Sequence, residues 1–314
     1  LWMLYLRKGW GHPIWLLAPL VHASMIPLCY LAVLRDLDAA LLQRIFRWLA
    51  YAGLILLVYG MLQLLHLDQF YKWIDNTMAK SGKDTLLGTI GNNAYYGIHL
   101  ALLLPIFLWQ PERWWKGVAI VASLLIFLSD STSALVCGVA AWGWWVWRTA
   151  SFPIACACLI ALVSVTCWWV VSHPHWLNPS GRLGAWSSFW QHYMVGDGKQ
   201  QITGAGLGRI MGDSSLSIPG WPKVGGDIFR HAHCEFLHVL IEQGIIGLGF
   251  ICWALVDAWQ RWRQLPRSAV ASVLGGISVA FLLAACVNNV AHNWMIGSLG
   301  LLAYSGIYAA ATET

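Results

Sequence analysis

Between Phe229 and Gly247 the chain reads FRHAHCEFLHVLIEQGIIG, with Arg230, His231 and His233 set immediately before a long apolar run. Imidazole changes charge near neutral pH and can take or give a proton. Guanidinium presents a planar fork of donors that fits carboxylate and phosphate. The preceding connection, residues 172–234, adds Arg182, Arg209, Lys199 and Lys223. At about 100° per residue on a helix, His233, Leu240, Gly244 and Gly247 form one narrow stripe. Two glycines three apart let a neighbouring helix approach closely, so the spacing predicts that His233 points toward other helices rather than lipid. Glu242 lies about two turns further along. A carboxylate at bilayer depth costs about 2.5–3.5 kcal/mol even on lenient scales, so Glu242 is expected to have a partner or face water.

Other chemistries fit the same residues less well. His173, His175, His231, His233 and Cys234 are zinc-ligand types, but neither histidine pair has the spacing of closed structural sites. The run GAGLG, 204–208, follows no predicted strand and lacks the GK[ST] ending of a nucleotide loop. Its glycines, Gly206 among them, are expected to form a tight turn whose amides face an anion. NNVAHN, 288–293, with His292, occupies a short connection before the last apolar run. Of the eight cysteines, those at 29, 137, 156, 158, 167, 252 and 286 fall inside apolar runs. They read as small hydrophobes, and no disulfide framework is expected.

The elements that must position these groups are set by composition. The 314 residues are 58% hydrophobic and 11% charged, with mean hydropathy +0.60. An average soluble domain carries about 25% charged residues, so the chain reads as an integral membrane protein. Apolar runs of about 20 residues cross a bilayer as helices, and the runs here are continuous rather than alternating. The expected fold class is all-α, a polytopic transmembrane helical bundle forming one domain over residues 1–314. Nine spans are predicted, at 14–34, 45–67, 87–109, 113–129, 134–148, 152–171, 235–259, 267–287 and 291–311. SDSTS, 129–133, makes the fourth and fifth a tight hairpin or one interrupted helix. The chain starts at Leu1 without a cleavable leader pattern, and further spans before it are expected.

Basic residues bias the orientation. With the 172–234 connection outside, the inner ends collect Arg35, Arg44, Arg47, Arg113, Lys116, Arg148, Arg261, Arg263 and Arg267. Short outer connections carry Lys72, Lys80 and Lys83, offset by Asp68, Asp75 and Asp84. Trp114, Trp115, Trp142, Trp144, Trp145, Trp147, Trp168 and Trp169 sit at segment ends and are expected in headgroup belts. The outer connection is too rich in Trp, Phe, Tyr and Gly for a solvated tail. It is expected to fold on the membrane face with short amphipathic helices. In SGRLGAWSSFWQHY, 180–193, one helical face carries Arg182, Trp186, Phe189 and Tyr193.

Four motifs in order carry a resemblance. His233 and Cys234, nine residues, Gly244, two residues and Gly247 resemble the O-antigen ligase and O-antigen polymerase superfamily of membrane glycosyltransferases, where His is followed by Asn, Ser or Gln, nine residues and GxxG. SGRLGAWSSFW, 180–190, resembles that family's Ser-Gly-Arg segment, and GAGLGRI, 204–210, its Gly-rich segment. GTIGNNAYYG, 88–97, resembles its upstream Gly-Asn motif. The chain departs from the pattern at Cys234, and at SDSTSALV, 129–136, where the family often has an Arg after Ser.

The resemblance implies a multi-pass protein of the bacterial inner membrane whose site faces the periplasm under the 172–234 loop. It implies transfer of a glycan from a polyprenyl-diphosphate donor to a hydroxyl on lipid A core, another glycan or a protein. Polymerase and protein O-oligosaccharyltransferase activities share that donor and stay open beside ligase. In this scheme Arg182 holds the diphosphate, with Arg209, Arg230, His231, Gly206 and Glu242 lining the substrate site. His233 takes the acceptor proton, and neither metal nor other cofactor is required. The partners implied are the donor, the acceptor and membrane lipids, with no nucleic acid. A transporter, which would show ionisable residues near span centres, broken helices and repeats, is the rival class. A structural membrane subunit, the third class, would bring no Arg and His together.

Overall fold

The computed structural model describes residues 38–65, 67, 93–172, 182–206, 234–288 and 294–312. Among these the chain is helical, with ten helices and no strand. They are α1 (Ala39–Leu64), α2 (Asn93–Trp109), α3 (Trp114–Leu128), α4 (Thr132–Thr149), α5 (Phe152–Ser172), α6 (Arg182–Val195), α7 (Gly198–Thr203), α8 (Glu235–Gln264), α9 (Ala269–Val287) and α10 (Trp294–Thr312). Every expected span except 14–34, which lies outside the described residues, coincides with one helix. Helices α1, α8 and α9 are long and apolar enough to cross a membrane, and α2, α3 and parts of α5 and α10 are shorter apolar helices. Long apolar helices with lipid-scale exposure of Ile55, Ile120, Ile160, Phe250 and Trp253 make this a membrane protein.

Helix α2 is the axis of the bundle. Tyr96, Ile98 and every residue from Leu100 to Leu108 are buried, as expected of a helix that is apolar all round. Small residues let its neighbours close on it. A Cβ at Gly60 of α1 would overlap the Tyr96 hydroxyl, which donates to the Leu56 carbonyl at 3.1 Å. A Cβ at Gly276 of α9 would lie 2.8 Å from the Pro105 ring and 3.0 Å from Trp144 of α4.

The 129–133 run makes a hairpin. Ser129 ends α3, Asp130 takes φ 52°, and the Ser131 hydroxyl caps α4 by accepting from the Ala134 N–H at 3.3 Å. Helices α3 and α4 then pack back to back, with Trp142 Nε1 donating to Ser123 Oγ at 2.8 Å. The tryptophans divide. Trp114, Trp147 and Trp168 are about half exposed or more, as a belt requires. Trp115, in contrast, is buried against Phe107 and Tyr51. Trp144 donates to the Ser272 carbonyl and Trp262 to the Ala271 carbonyl, so both join helices α4, α8 and α9. An indole that finds an acceptor across a helix pair is held inside rather than at the headgroups.

Candidate functional site

Helix α8 is 30 residues long, about 45 Å at 1.5 Å per residue, against a hydrocarbon core of about 30 Å. Its exposed apolar positions, Ile245, Ile246, Phe250, Trp253, Val256 and Trp259, begin only at Ile245. From His238 to Glu242, by contrast, every residue is buried in the protein. The first third of α8 therefore stands within protein, above the face that meets lipid.

The helix breaks at this boundary. Gly244 has φ 67° and ψ −168°, a region open in practice to glycine alone. In an unbroken helix the Ile241 and Glu242 carbonyls would pair with N–H groups four residues on. Here they accept from Ala205 and Gly206, at 2.8 and 3.0 Å. Gly204, with φ 81° and ψ 170°, lies against the break. A Cβ on Gly204 would overlap the Glu242 and Gln243 backbone, and one on Gly244 would lie 2.6 Å from Gly204 N and closer still to the Ile202 carbonyl. Two backbones thus meet with no side chain between them. Non-helical backbone near membrane depth persists only where protein satisfies it, and the 204–206 segment does so here.

This corrects two sequence readings. Among the described residues the GxxG pair is not a seam shared by both glycines: the end of α7 packs on Gly244 alone. Gly244 is the break, and the space beside Gly247 is filled by the Gln243 side chain. In the described part of the glycine-rich run, 204–206, Gly204 and Gly206 take positive φ, and the Gly206 amide donates to the Glu242 carbonyl rather than facing an anion.

Glu242 has its expected partner. Its carboxylate lies 3.3 Å from His238 Nε2, one turn earlier, and both side chains are almost wholly buried. Sequence reasoning passed over His238, although an i, i+4 histidine–carboxylate spacing places the two side chains together on a helix. Cys234 is the N-cap position of α8, and burial pushes its thiol above the ordinary value.

Arg182 is the first residue of α6, and nothing is described of its side chain. On the face predicted for it, Phe189 is buried and Trp186 and Tyr193 are half-buried. Leu183, Trp190 and Met194 lie exposed about a quarter turn round the helix. The helix therefore carries one broad apolar arc, buried along one edge and open along the other. Its junction with α7 is fastened by Gln201, whose amide donates to the Met194 and Gly196 carbonyls at 3.1 and 3.2 Å. The Tyr193 hydroxyl donates to the Gln201 carbonyl at 3.0 Å. Arg209, Arg230, His231 and His233 lie outside the described residues, as do His173, His175 and His292. Among the described residues no three His, Cys, Asp or Glu side chains gather as a metal site requires.

The described half of the upstream motif is structural. Asn93 Nδ2 donates to the Ser129 carbonyl at 2.9 Å, and a Cβ at Gly97 would meet Ser129 and Ala134. NAYYG, 93–97, and SDSTS, far apart in sequence, are thus packed together at one end of the bundle. His99, further along α2, keeps a buried Nδ1 with no hydrogen-bond partner among the described residues. No protein-family model matches the chain, and no curated protein matches it.

Proposed function

We propose that the protein transfers a glycan from a polyprenyl-diphosphate donor to an acceptor hydroxyl at the periplasmic face of a bacterial inner membrane. The observation that carries this reading is the union of residues 204–206 with the break at Gly244. Two of the motifs that resemble the ligase and polymerase superfamily, distant in sequence, meet backbone to backbone. That union docks α7 on α8, and α6, the helix that opens with Arg182, also packs against α8.

The chemistry follows from those residue types. The acceptor oxygen forms a bond to the anomeric carbon as the bond from that carbon to the diphosphate oxygen breaks. His233 takes the acceptor proton, a contribution of about 10²–10⁴-fold for a positioned base. The diphosphate leaves as an anion held by Arg182, with Arg209 and Arg230 in support, because a guanidinium fork bonds phosphate oxygens bidentately. The exposed Leu183, Trp190 and Met194 face of α6 suits a helix lying in the headgroup layer, where a lipid diphosphate resides.

The test is transfer by purified protein from a polyprenyl-diphosphate glycan to lipid core, glycan or protein. Arg182→Ala and His233→Ala are expected to lose transfer at least 100-fold, with EDTA without effect. Wild-type rates in both variants would remove these residues from the site. One observation favours a second reading. A helix broken at a glycine beside a buried ionisable pair is also how transporters build substrate and proton sites. If vesicles holding the protein move a solute, and no acceptor is glycosylated, that reading replaces the first.

A further inference from the structure

At the opposite end of α8 from Gly244, the turn between α4 and α5 and the start of α9 frame a cleft of about 210 Å³. It is lined by Trp147, Arg148, Ala150, Phe152, Ala155 and Arg267. That is below the roughly 300–1,000 Å³ of sites enclosing a whole small molecule, and ample for a phosphate group. No carboxylate lines it, and neither arginine is ion-paired among the described residues. Two cations facing one cleft without a counter-charge repel each other, and an anion between them removes that cost.

The cleft is held in shape before any ligand arrives. Arg148 Nε donates to Ser272 Oγ at 3.1 Å, and its guanidinium carbon lies 5.4 Å from the Trp262 ring centroid. Those contacts fix one edge and one face of the group. Arg267 is exposed, just before the Ser268 cap of α9. On the rim, Trp147 and Phe152 meet edge to face at 5.9 Å and are 48% and 68% exposed. Aromatic rings beside cations, at the end of apolar helices, match the layer where lipid headgroups meet acyl chains. Basic pockets between helices at that level bind anionic headgroups.

We propose that this cleft binds the phosphate of an anionic membrane phospholipid, with the arginines on the phosphate and the Trp147 and Phe152 rings along the acyl chains. The site is independent of the transferase reading. Its test is native mass spectrometry of the full chain released from detergent, titrated with phosphatidylglycerol or phosphatidylcholine. Wild type is expected to retain phosphatidylglycerol at least tenfold more tightly. Arg267→Gln, which breaks no described contact, is expected to abolish that preference, and Arg263→Gln, exposed at the same end but outside the cleft, to keep it. Equal retention of the two lipids by wild type, or an unchanged preference in Arg267→Gln, overturns the proposal. Inorganic phosphate at millimolar concentration supplies the same chemistry without chains. If it displaces the lipid fully, the site belongs to a soluble phosphate and the lipid assignment fails.

Discussion

Gly244→Ala is the perturbation that tests the union of loop and helix most directly. An alanine at φ 67°, ψ −168° carries about 1–3 kcal/mol of backbone strain. Its Cβ would also overlap the Ile202 carbonyl and press on Gly204 N, both backbone atoms that cannot rotate away. Relief requires that α8 straighten or that 202–206 withdraw, and either course gives up the bonds from Ala205 and Gly206. Those bonds favour docking equally in both proteins, so the substitution shifts the equilibrium by the strain it places on the docked form, at least about 1–3 kcal/mol. The ratio of docked to undocked forms should fall at least roughly 5-fold to 150-fold. Hydrogen exchange of the 198–206 peptide in detergent reads this directly, and protection of Ala205 and Gly206 should drop by that factor. Gly249→Ala is the matched control. Its Cβ meets nothing within 4 Å, and alanine should stabilise that helical position by about 0.5–1 kcal/mol. If both variants show wild-type protection, the break is not held by the loop and the argument fails.

Removing one member of the buried pair should be more costly than removing both. His238→Ala leaves Glu242 buried without its imidazole, and loss of about 3–5 kcal/mol is expected, read as a lower unfolding temperature. The double variant His238→Leu, Glu242→Leu should recover part of it. Burial holds the Cys234 thiol above its ordinary value, and the thiolate is the nucleophile. Alkylation of Cys234 at pH 8 should therefore run slower than that of a free thiol, and should climb as pH rises beyond the usual thiol range.

Hydropathy made the helices legible because burial in lipid or in protein demands the same continuous apolar run. Eight of the predicted segments fall on helices for that reason. The same logic misjudged Trp115 and Trp144. Position at a segment end does not distinguish an indole facing headgroups from one turned toward a carbonyl on the next helix. The need of Glu242 for a partner followed from its cost alone, whereas the partner, His238, required attention to the turn before it. The broken helix was beyond reach of periodicity. Gly244 and Gly247 fit a helical stripe as well as they fit a break, and only the arrival of Gly204, forty residues earlier, decides between them.

The break also bears on how the chain is made. Residues 198–206 precede α8 and are synthesised first, so the segment is waiting when α8 enters the membrane. Alone, α8 has no reason to bend, since a straight helix pairs the Ile241 and Glu242 carbonyls internally. Its bent form exists only as a shared structure. A nascent chain cut before α8 therefore carries an unsatisfied loop, and one lacking 198–206 carries a straight helix. The bent shape of this region can therefore form only once both partners are present.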